Sequence, residues 1–270
     1  MDGAAQGPIG VFDSGVGGLS VVQELQAALP HEDLLYLADT AHCPYGSRSP
    51  DEIAALALHG ARWLHAQGAK ALLVACNTAS AAGLPELRAW AAGRWPVIGL
   101  VPAVKPAVAE SRSKTIAVLT TAATWRGSLL QDVITQFAGP AGVTVLPAIN
   151  PQLVLAVEAG AVHTPQTRQL LTDLLDPLLA AGADHLVLGC THYPFLRPLL
   201  HDIYGSRLVI LDSGAAVARH TGRVLEEWGL PHPGPRKGQL RVITSGDPVH
   251  VAPVVARLLG TTVAVQHADI

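Results

Sequence analysis

The chain has 270 residues, 49% of them hydrophobic and 14% charged, with a formal net charge of -3. At roughly 100–200 residues per domain this is one large domain or two compact lobes, able to bury about three quarters of its unfolded surface without disulfide or metal staples. The composition excludes disorder. The lack of basic excess argues against a nucleic-acid partner, and no apolar run approaches the roughly 20 residues of a membrane span.

Read along the chain, the opening MDGAAQGP has neither the cationic nor the apolar region of a secretory signal. Three cysteines are too few, and odd in number, for a disulfide framework, so a reducing, cytoplasmic setting is expected. Short runs rich in Val, Ile and Leu then recur at residues 9–12, 34–37, 71–75, 97–101, 116–119, 143–146, 185–188 and 208–211. They are continuous rather than alternating and are bounded by Gly, Pro or Ser, the pattern of parallel strands covered on both faces. Helical stretches separate them. Ser49-Pro50-Asp51-Glu52 supplies an N-cap, a first-turn proline and a capping-box glutamate, and Gly68 supplies the stop. Strand and helix alternate throughout, so the class is α/β.

The units also repeat in register. Ile9-Gly10-Val11-Phe12 recurs as Ile116-Ala117-Val118-Leu119, offset by 107. Ser49-Pro50 recurs as Thr164-Pro165, offset by 115, and Gly68 as Gly182, offset by 114. The strand end Leu73-Val74-Ala75-Cys76-Asn77-Thr78 recurs as Val187-Leu188-Gly189-Cys190-Thr191-His192, again by 114. Strand spacing alone repeats in any α/β chain. A proline-started helix, a closing glycine and a strand ending in cysteine, twice in register, point to two similar lobes. The expected architecture is a pair of mainly parallel sheets flanked by helices, pseudo-twofold related, with the active site in the cleft between them. Residues 1–98 form the first lobe and 99–210 the second. Residues 211–270, with one helix and strand-like runs at 240–244 and 262–265, return to complete the first.

Cys76 and Cys190 each end a buried strand and precede a helix start, where open parallel sheets bind ligands and where a helix dipole favours thiolate. A single strand-end cysteine is commonly a small core hydrophobe; two in matching positions of a repeat point to chemistry. A metal would want more ligands; His192 and Cys43 could be recruited, but no CxxC or HxxxH spacing is present. A dithiol redox site normally uses CxxC, and a single nucleophile needs no twin. Inverting a stereocentre through a planar carbanion does need two groups, one to remove a proton from one face and one to return a proton to the other. Asp13-Ser14-Gly15-Val16-Gly17-Gly18 follows the first strand, and its backbone can approach an anion closely. It fits neither GxGxxG nor the Walker pattern. Asp13 there either caps the turn or holds an ammonium group and polarises a thiol. The usual cofactor for such chemistry on amino acids is an electron sink bound to lysine. None of the four lysines (Lys70, Lys105, Lys114, Lys237) occupies a strand-end loop, so no cofactor is expected.

Together these residues resemble the cofactor-independent aspartate/glutamate racemase family, and glutamate racemases within it, from Ile9 to about Thr221. The motifs that carry the resemblance are Ile9-Gly-Val-Phe-Asp-Ser-Gly-Val-Gly-Gly-Leu19, Asp39-Thr-Ala-His-Cys-Pro-Tyr-Gly46, Ala75-Cys-Asn-Thr78, Leu188-Gly-Cys-Thr-His-Tyr-Pro194 and Leu211-Asp-Ser-Gly214. The resemblance implies two-base proton transfer on L- and D-glutamate as the small-molecule partner, with neither cofactor nor metal. It also implies a homodimer and a supply of D-glutamate for peptidoglycan, and so for cell-wall biogenesis and cell shape. By it Cys76 acts on the D-enantiomer and Cys190 on the L-enantiomer, with Asp13 beside the first and His192 and Glu158 assisting the second. Substrate contacts are implied for Asp13, Ser14, Tyr45, Gly46, Asn77, Thr78, Thr121, Thr191 and His192. Two stretches depart from the family pattern: Ile149-Asn150-Pro151 stands in place of a Cys-Pro run, and Thr120-Thr121-Ala122-Ala123-Thr124 in place of a more Gly-containing one. Cys43 has no counterpart in the second lobe and is expected to stand outside the pair. Arg48 is read as either a substrate anchor or an ordinary surface residue. The alternative readings are an aspartate or hydantoin type of racemase, or a non-catalytic two-lobe amino-acid-binding protein.

Overall fold

The computed structural model describes residues 7–232 and 234–270; residues 1–6, most of the stretch read for a leader, and Pro233 lie outside it. The chain runs β1 (Ile9–Asp13), α1 (Leu19–Ala28), β2 (Leu34–Ala38), α2 (Pro50–Ala66), β3 (Ala71–Val74), α3 (Asn77–Ala91), β4 (Val97–Gly99) and α4 (Val104–Glu110). It continues with β5 (Thr115–Thr120), α5 (Ala122–Arg126), α6 (Ser128–Val133), α7 (Gly139–Ala141), β6 (Thr144–Ala148), α8 (Gln152–Glu158), α9 (Pro165–Ala180) and β7 (His185–Gly189). It closes with α10 (Arg197–Tyr204), β8 (Val209–Leu211), α11 (Gly214–Glu227), β9 (Leu240–Thr244), α12 (Pro248–Leu259) and β10 (Val265–His267).

The strands form two sheets, one ordered β10-β9-β2-β1-β3-β4 and the other β6-β5-β7-β8. Every pairing is parallel. The order β2-β1-β3-β4 is repeated as β6-β5-β7-β8, and the register Ile9↔Ala71 in the first sheet has its equivalent in Ile116↔His185 in the second. The fold is thus α/β, with two parallel sheets flanked by helices. β9 and β10 extend the first sheet beyond β2.

The repeated punctuation has a physical basis. Ser49 caps α2 by accepting from the Glu52 N–H at 3.3 Å, and Thr164 caps α9 by accepting from the Thr167 N–H at 3.2 Å. Gly68 and Gly182 end the same two helices with φ of 81° and 96°, a region costly for residues with a Cβ. Continuous apolar runs become strands buried along their whole length in β1, β2, β3 and β7, whereas the sheet-edge strands β6, β8 and β10 are partly exposed. One apolar cluster runs through both sheets, joining Val11 and Leu73 to Leu119, Leu186 and Leu188.

Two strands differ from expectation. β4 stops at Gly99 because the Leu100 N–H turns to the Ser80 hydroxyl at 3.0 Å instead of continuing the ladder. β10 forms three residues later than the apolar run 262–265, pairing parallel with β9 through Val265↔Val242. Among the described residues no helix is long and apolar enough to cross a membrane.

Candidate active site

The carboxyl ends of β3 and β7 deliver the two thiols. Cys76 is the N-cap of α3, its sulfur accepting from the Ala79 N–H at 3.4 Å, and its thiol donates to the Ser14 hydroxyl at 3.5 Å. Cys190 is placed differently from expectation: no α-helix starts beside it. A 3-10 turn at Tyr193–Leu196 intervenes before α10, and Pro194 and Pro198 sit in the first turns of these two elements, where a missing N–H is harmless. Both sulfurs line one cavity of about 190 Å³, walled also by Ser14, Tyr45, Gly46, Thr78, Thr121 and His192. The two cysteines are only 4% and 7% exposed.

Asp13 lies fully buried behind Cys76 and takes the capping role considered for it. Its carboxylate accepts from the backbone N–H groups of Ser14, at 2.8 Å, and Gly18, closing the loop before α1. Burial raises its carboxyl from 3.8 to about 6, against the pull of the His192 charge and of hydrogen bonds from the Cys76 thiol and Gly18. The Cys76 thiol is itself pushed well above its ordinary value, first by burial and then by the Asp13 charge. The Thr191 hydroxyl donates to Asp13 at 3.3 Å.

On the other side, His192 Nδ1 lies 3.5 Å from Cys190 Sγ, and its Nε2 donates to Glu158 Oε1 at 2.5 Å. That oxygen also accepts from the Val16 N–H at 2.8 Å. The glycine loop therefore does approach an anion closely, and the anion is a carboxylate of this chain from α8. Gly15 and Gly17 permit it: a Cβ on Gly15 would lie 2.8 Å from Glu158 Cδ, and one on Gly17 2.7 Å from ring carbons of His192. Burial disfavours the His192 cation, but the charge and hydrogen bond of Cys190, with hydrogen bonds to Cys43 and Glu158, hold it protonated well above the usual imidazole range. Burial likewise disfavours the Glu158 carboxylate, and its hydrogen bond and charge pairing with His192 hold it below the usual range.

Cys43 is not remote from this pair. Its thiol donates to Glu158 Oε1 at 3.5 Å, and burial pushes it up to about 12, so it stays protonated. Cys43, Glu158 and His192 present S, O and N atoms within 4.8 Å of one another, a spacing that suits a divalent metal, although each atom already belongs to the hydrogen-bonded set just described.

Of the expected residues, Ser14, Tyr45, Gly46, Cys76, Thr78, Thr121, Cys190 and His192 line the thiol cavity, while Asp13 and Glu158 do not line it and reach it through Cys76 and His192. Asn77 and Thr191 line a neighbouring cavity of about 190 Å³ that Cys190 also borders, with Ser20, Glu24 and Asp212. Among the described residues the buried Asn77 Oδ1 has no hydrogen-bond partner. Arg48 does not line the thiol cavity; it pairs with Glu52 and donates to the His42 carbonyl at 2.9 Å, an ordinary surface role. Sequence reasoning missed Pro44, Ser47, Arg126, Ile149, Asn150 and Val154 as wall residues. Val154 had a usable signal, since it stands one helical turn before Glu158 and shares its face of α8. Arg126 had none, because only the packing of α5 brings it to the cavity.

The fold and the cavity are those of an α/β isomerase of the racemase class. The chain belongs to the Asp/Glu/Hydantoin racemase family, whose pattern it matches over residues 9–221. It is 54% identical to the glutamate racemase of Deinococcus radiodurans over 251 residues, 93% of this chain and 86% of that protein. The crystal structure of a glutamate racemase isoform from Bacillus anthracis superposes with a TM-score of 0.85 at 30% identity, covering 98% of each chain. That of the Francisella tularensis glutamate racemase in complex with D-glutamate superposes with a TM-score of 0.81 at 28% identity, covering 97% of each.

Proposed function

We propose that the chain interconverts L- and D-glutamate by two-base proton transfer, with Cys76 and Cys190 as the bases on opposite faces of the α-carbon. One observation carries the reading: two buried thiols at equivalent strand ends line a single cavity. Glutamate is favoured over aspartate or a hydantoin by the glutamate racemase from Deinococcus at 54% identity and by the D-glutamate held in the Francisella relative.

In this mechanism L-glutamate loses its α-proton to Cys190 and receives one from Cys76, and D-glutamate reacts in reverse. Cys76, its thiol stabilised by burial and by Asp13, rests as the proton donor. Asp13, half-titrated near pH 6, exchanges the proton with it. His192, kept cationic, is the counter-charge 3.5 Å from Cys190, and Glu158 fixes the ring by accepting its Nε2–H. Charge that develops on the α-carboxylate is met by the hydroxyls of Ser14, Thr78 and Thr121, preorganised in a small cavity where such interactions are strong. Among the described residues no lysine lines the cavity, so a pyridoxal Schiff base has no anchor there.

The same reading makes the product D-glutamate for peptidoglycan in the cytoplasm and takes the working form as a homodimer. It divides the chain into a lobe of residues 1–98 with 211–270 and a lobe of 99–210 that meet around the substrate. The test is α-proton exchange into D₂O for each enantiomer, in wild type, Cys76→Ala and Cys190→Ala. Each variant should lose racemisation while keeping its far-ultraviolet circular dichroism; substantial turnover by either would sink the two-base mechanism. Binding of glutamate without exchange in the wild type would mark a non-catalytic binding protein instead.

A further inference from the structure

We propose that Arg126 is the specificity-determining residue of this cavity, capturing the side-chain carboxylate of the substrate at its mouth. The inference rests on the glutamate reading above. Arg126 supplies the lysine or arginine charge on the cavity wall; the other wall residues are neutral apart from His192 and the thiols. Other arginines near acids are spent on them: Arg48 pairs with Glu52, Arg168 with Asp202, Arg197 with Asp212 and Arg236 with Asp33. Among the described residues Arg126 makes no such pair, and it is exposed.

Its position is braced to the catalytic thiol. Arg126 ends α5, which Thr121 caps by accepting from the Thr124 N–H at 3.1 Å. The Thr78 hydroxyl lies 3.0 Å from that of Thr121 and 3.2 Å from that of Thr124. Thr78 stands two residues after Cys76 on α3, so a hydroxyl triad holds the root of Arg126 at a fixed place relative to the thiol.

The charges are ordered along the cavity. Asp13 sits behind the inner wall beside Cys76, where its charge attracts an ammonium group and repels a carboxylate, while the charge of Glu158 is matched by the His192 ring it pairs with. An amino acid with an acidic side chain therefore enters with its ammonium inward and its second carboxylate outward. Ile149, Pro151 and Val154 give that carboxylate no partner and Ser47 and Asn150 offer only neutral polar groups, whereas the planar guanidinium fork of Arg126 offers an opposite charge. An uncharged amide of the same length gains nothing from it, so the residue separates glutamate from glutamine by charge.

Steady-state racemisation of both enantiomers by wild type, Arg126→Gln and Arg126→Lys, at low and high salt, tests this. Arg126→Gln should raise KM for L- and D-glutamate about tenfold, the order expected of one carboxylate–guanidinium pair partly shielded from water. It should leave kcat within about threefold and flatten the salt dependence of kcat/KM, because the screened charge is gone. Arg126→Lys should restore most of the KM. An active wild type whose Arg126→Gln form keeps its KM and salt dependence, or loses kcat alone, overturns the role given to Arg126. A wild type inert toward glutamate overturns the substrate reading, and this inference with it.

Discussion

Replacing Glu158 with glutamine isolates the charge behind Cys190. The amide keeps the size of the side chain and one carbonyl oxygen, which can still accept from the Val16 N–H and from His192 Nε2. What disappears is a carboxylate bound to an imidazolium in a nearly closed setting, with the His192 side chain 2% exposed and that of Glu158 18%. A hydrogen bond between charged groups contributes about 1.5–3 kcal/mol, which converts to a loss of roughly ten- to hundredfold in kcat/KM. Although Glu158 stands beside Cys190 alone, the loss must be equal in both directions, because enantiomers have the same free energy in an achiral solvent and their kcat/KM ratio is fixed. The pH profile carries the second readout. Glu158 is among the groups that raise His192, so without it the alkaline limit of activity should move down. Stability follows the same linkage. The raised His192 contributes below about pH 6.5 and loses its contribution as pH climbs through its folded value; the lowered Glu158 contributes above about pH 4.5 and loses its contribution as pH falls. The wild type should therefore exceed the variant in stability most clearly between about pH 4.5 and 6.5, where both contributions are full. Polarimetric rates for both enantiomers across neutral to alkaline pH are the assay, and unchanged kcat/KM, or an alkaline limit that stays put or rises, refutes the pairing.

Four further outcomes are expected. Asp13, raised from 3.8 to about 6, is a group whose folded pKa exceeds its unfolded one, so its contribution is full below pH 3.8 and is lost as pH rises through about 6. That loss is on the order of 3 kcal/mol; urea unfolding at acidic and neutral pH should show it in the wild type and not in Asp13→Asn, and parallel curves would refute it. Gly17→Ala should cut activity at least tenfold (~1.4 kcal/mol of displacement) while leaving the fold intact, because its Cβ would force the His192 ring aside; near-wild-type rates would show that the ring can yield freely. Cys43, held at about 12, should resist iodoacetamide at neutral pH in peptide mass spectra of the folded protein, and rapid labelling would contradict its buried, protonated state. Because it touches Glu158, Cys43→Ala should lower kcat/KM by less than about tenfold, the worth of one weak hydrogen bond.

Much of this arrangement was readable in the sequence because it is local. Caps, helix-ending glycines and strand-end cysteines are set within a few residues of one another, and their twofold recurrence carries the sheet order. Cys76, Cys190, His192 and the Tyr45-Gly46 loop reach the cavity for that reason. Asn77 and Thr191 follow the thiols directly in sequence, yet they line an adjoining cavity that Cys190 shares rather than the thiol cavity itself. Motif adjacency does not specify which way a side chain faces. Arg126, Ile149 and Asn150 arrive through packing of α5 and the β6–α8 turn, and Cys43 meets Glu158 across 115 residues of chain. Such contacts leave no periodic trace. The edge strand β10 was misplaced because a partly exposed strand carries little hydrophobic signal.

β9 lies between β2 and β10 in the first sheet, although about 200 residues of chain separate it from β2. Synthesis is vectorial, so the Leu-Leu-Tyr-Leu-Ala segment of β2 leaves the ribosome long before the strand that covers its edge exists. The whole second sheet, contained within residues 115–211, is complete in the meantime. The nascent chain therefore passes through a stage with a finished second sheet and a first sheet that still offers unpaired backbone along an apolar strand, the surface that invites aggregation. Truncations ending before β9 should consequently be chaperone-bound or insoluble, and the residues of β9 decide whether the thiol at the end of β3 is ever held in a stable sheet.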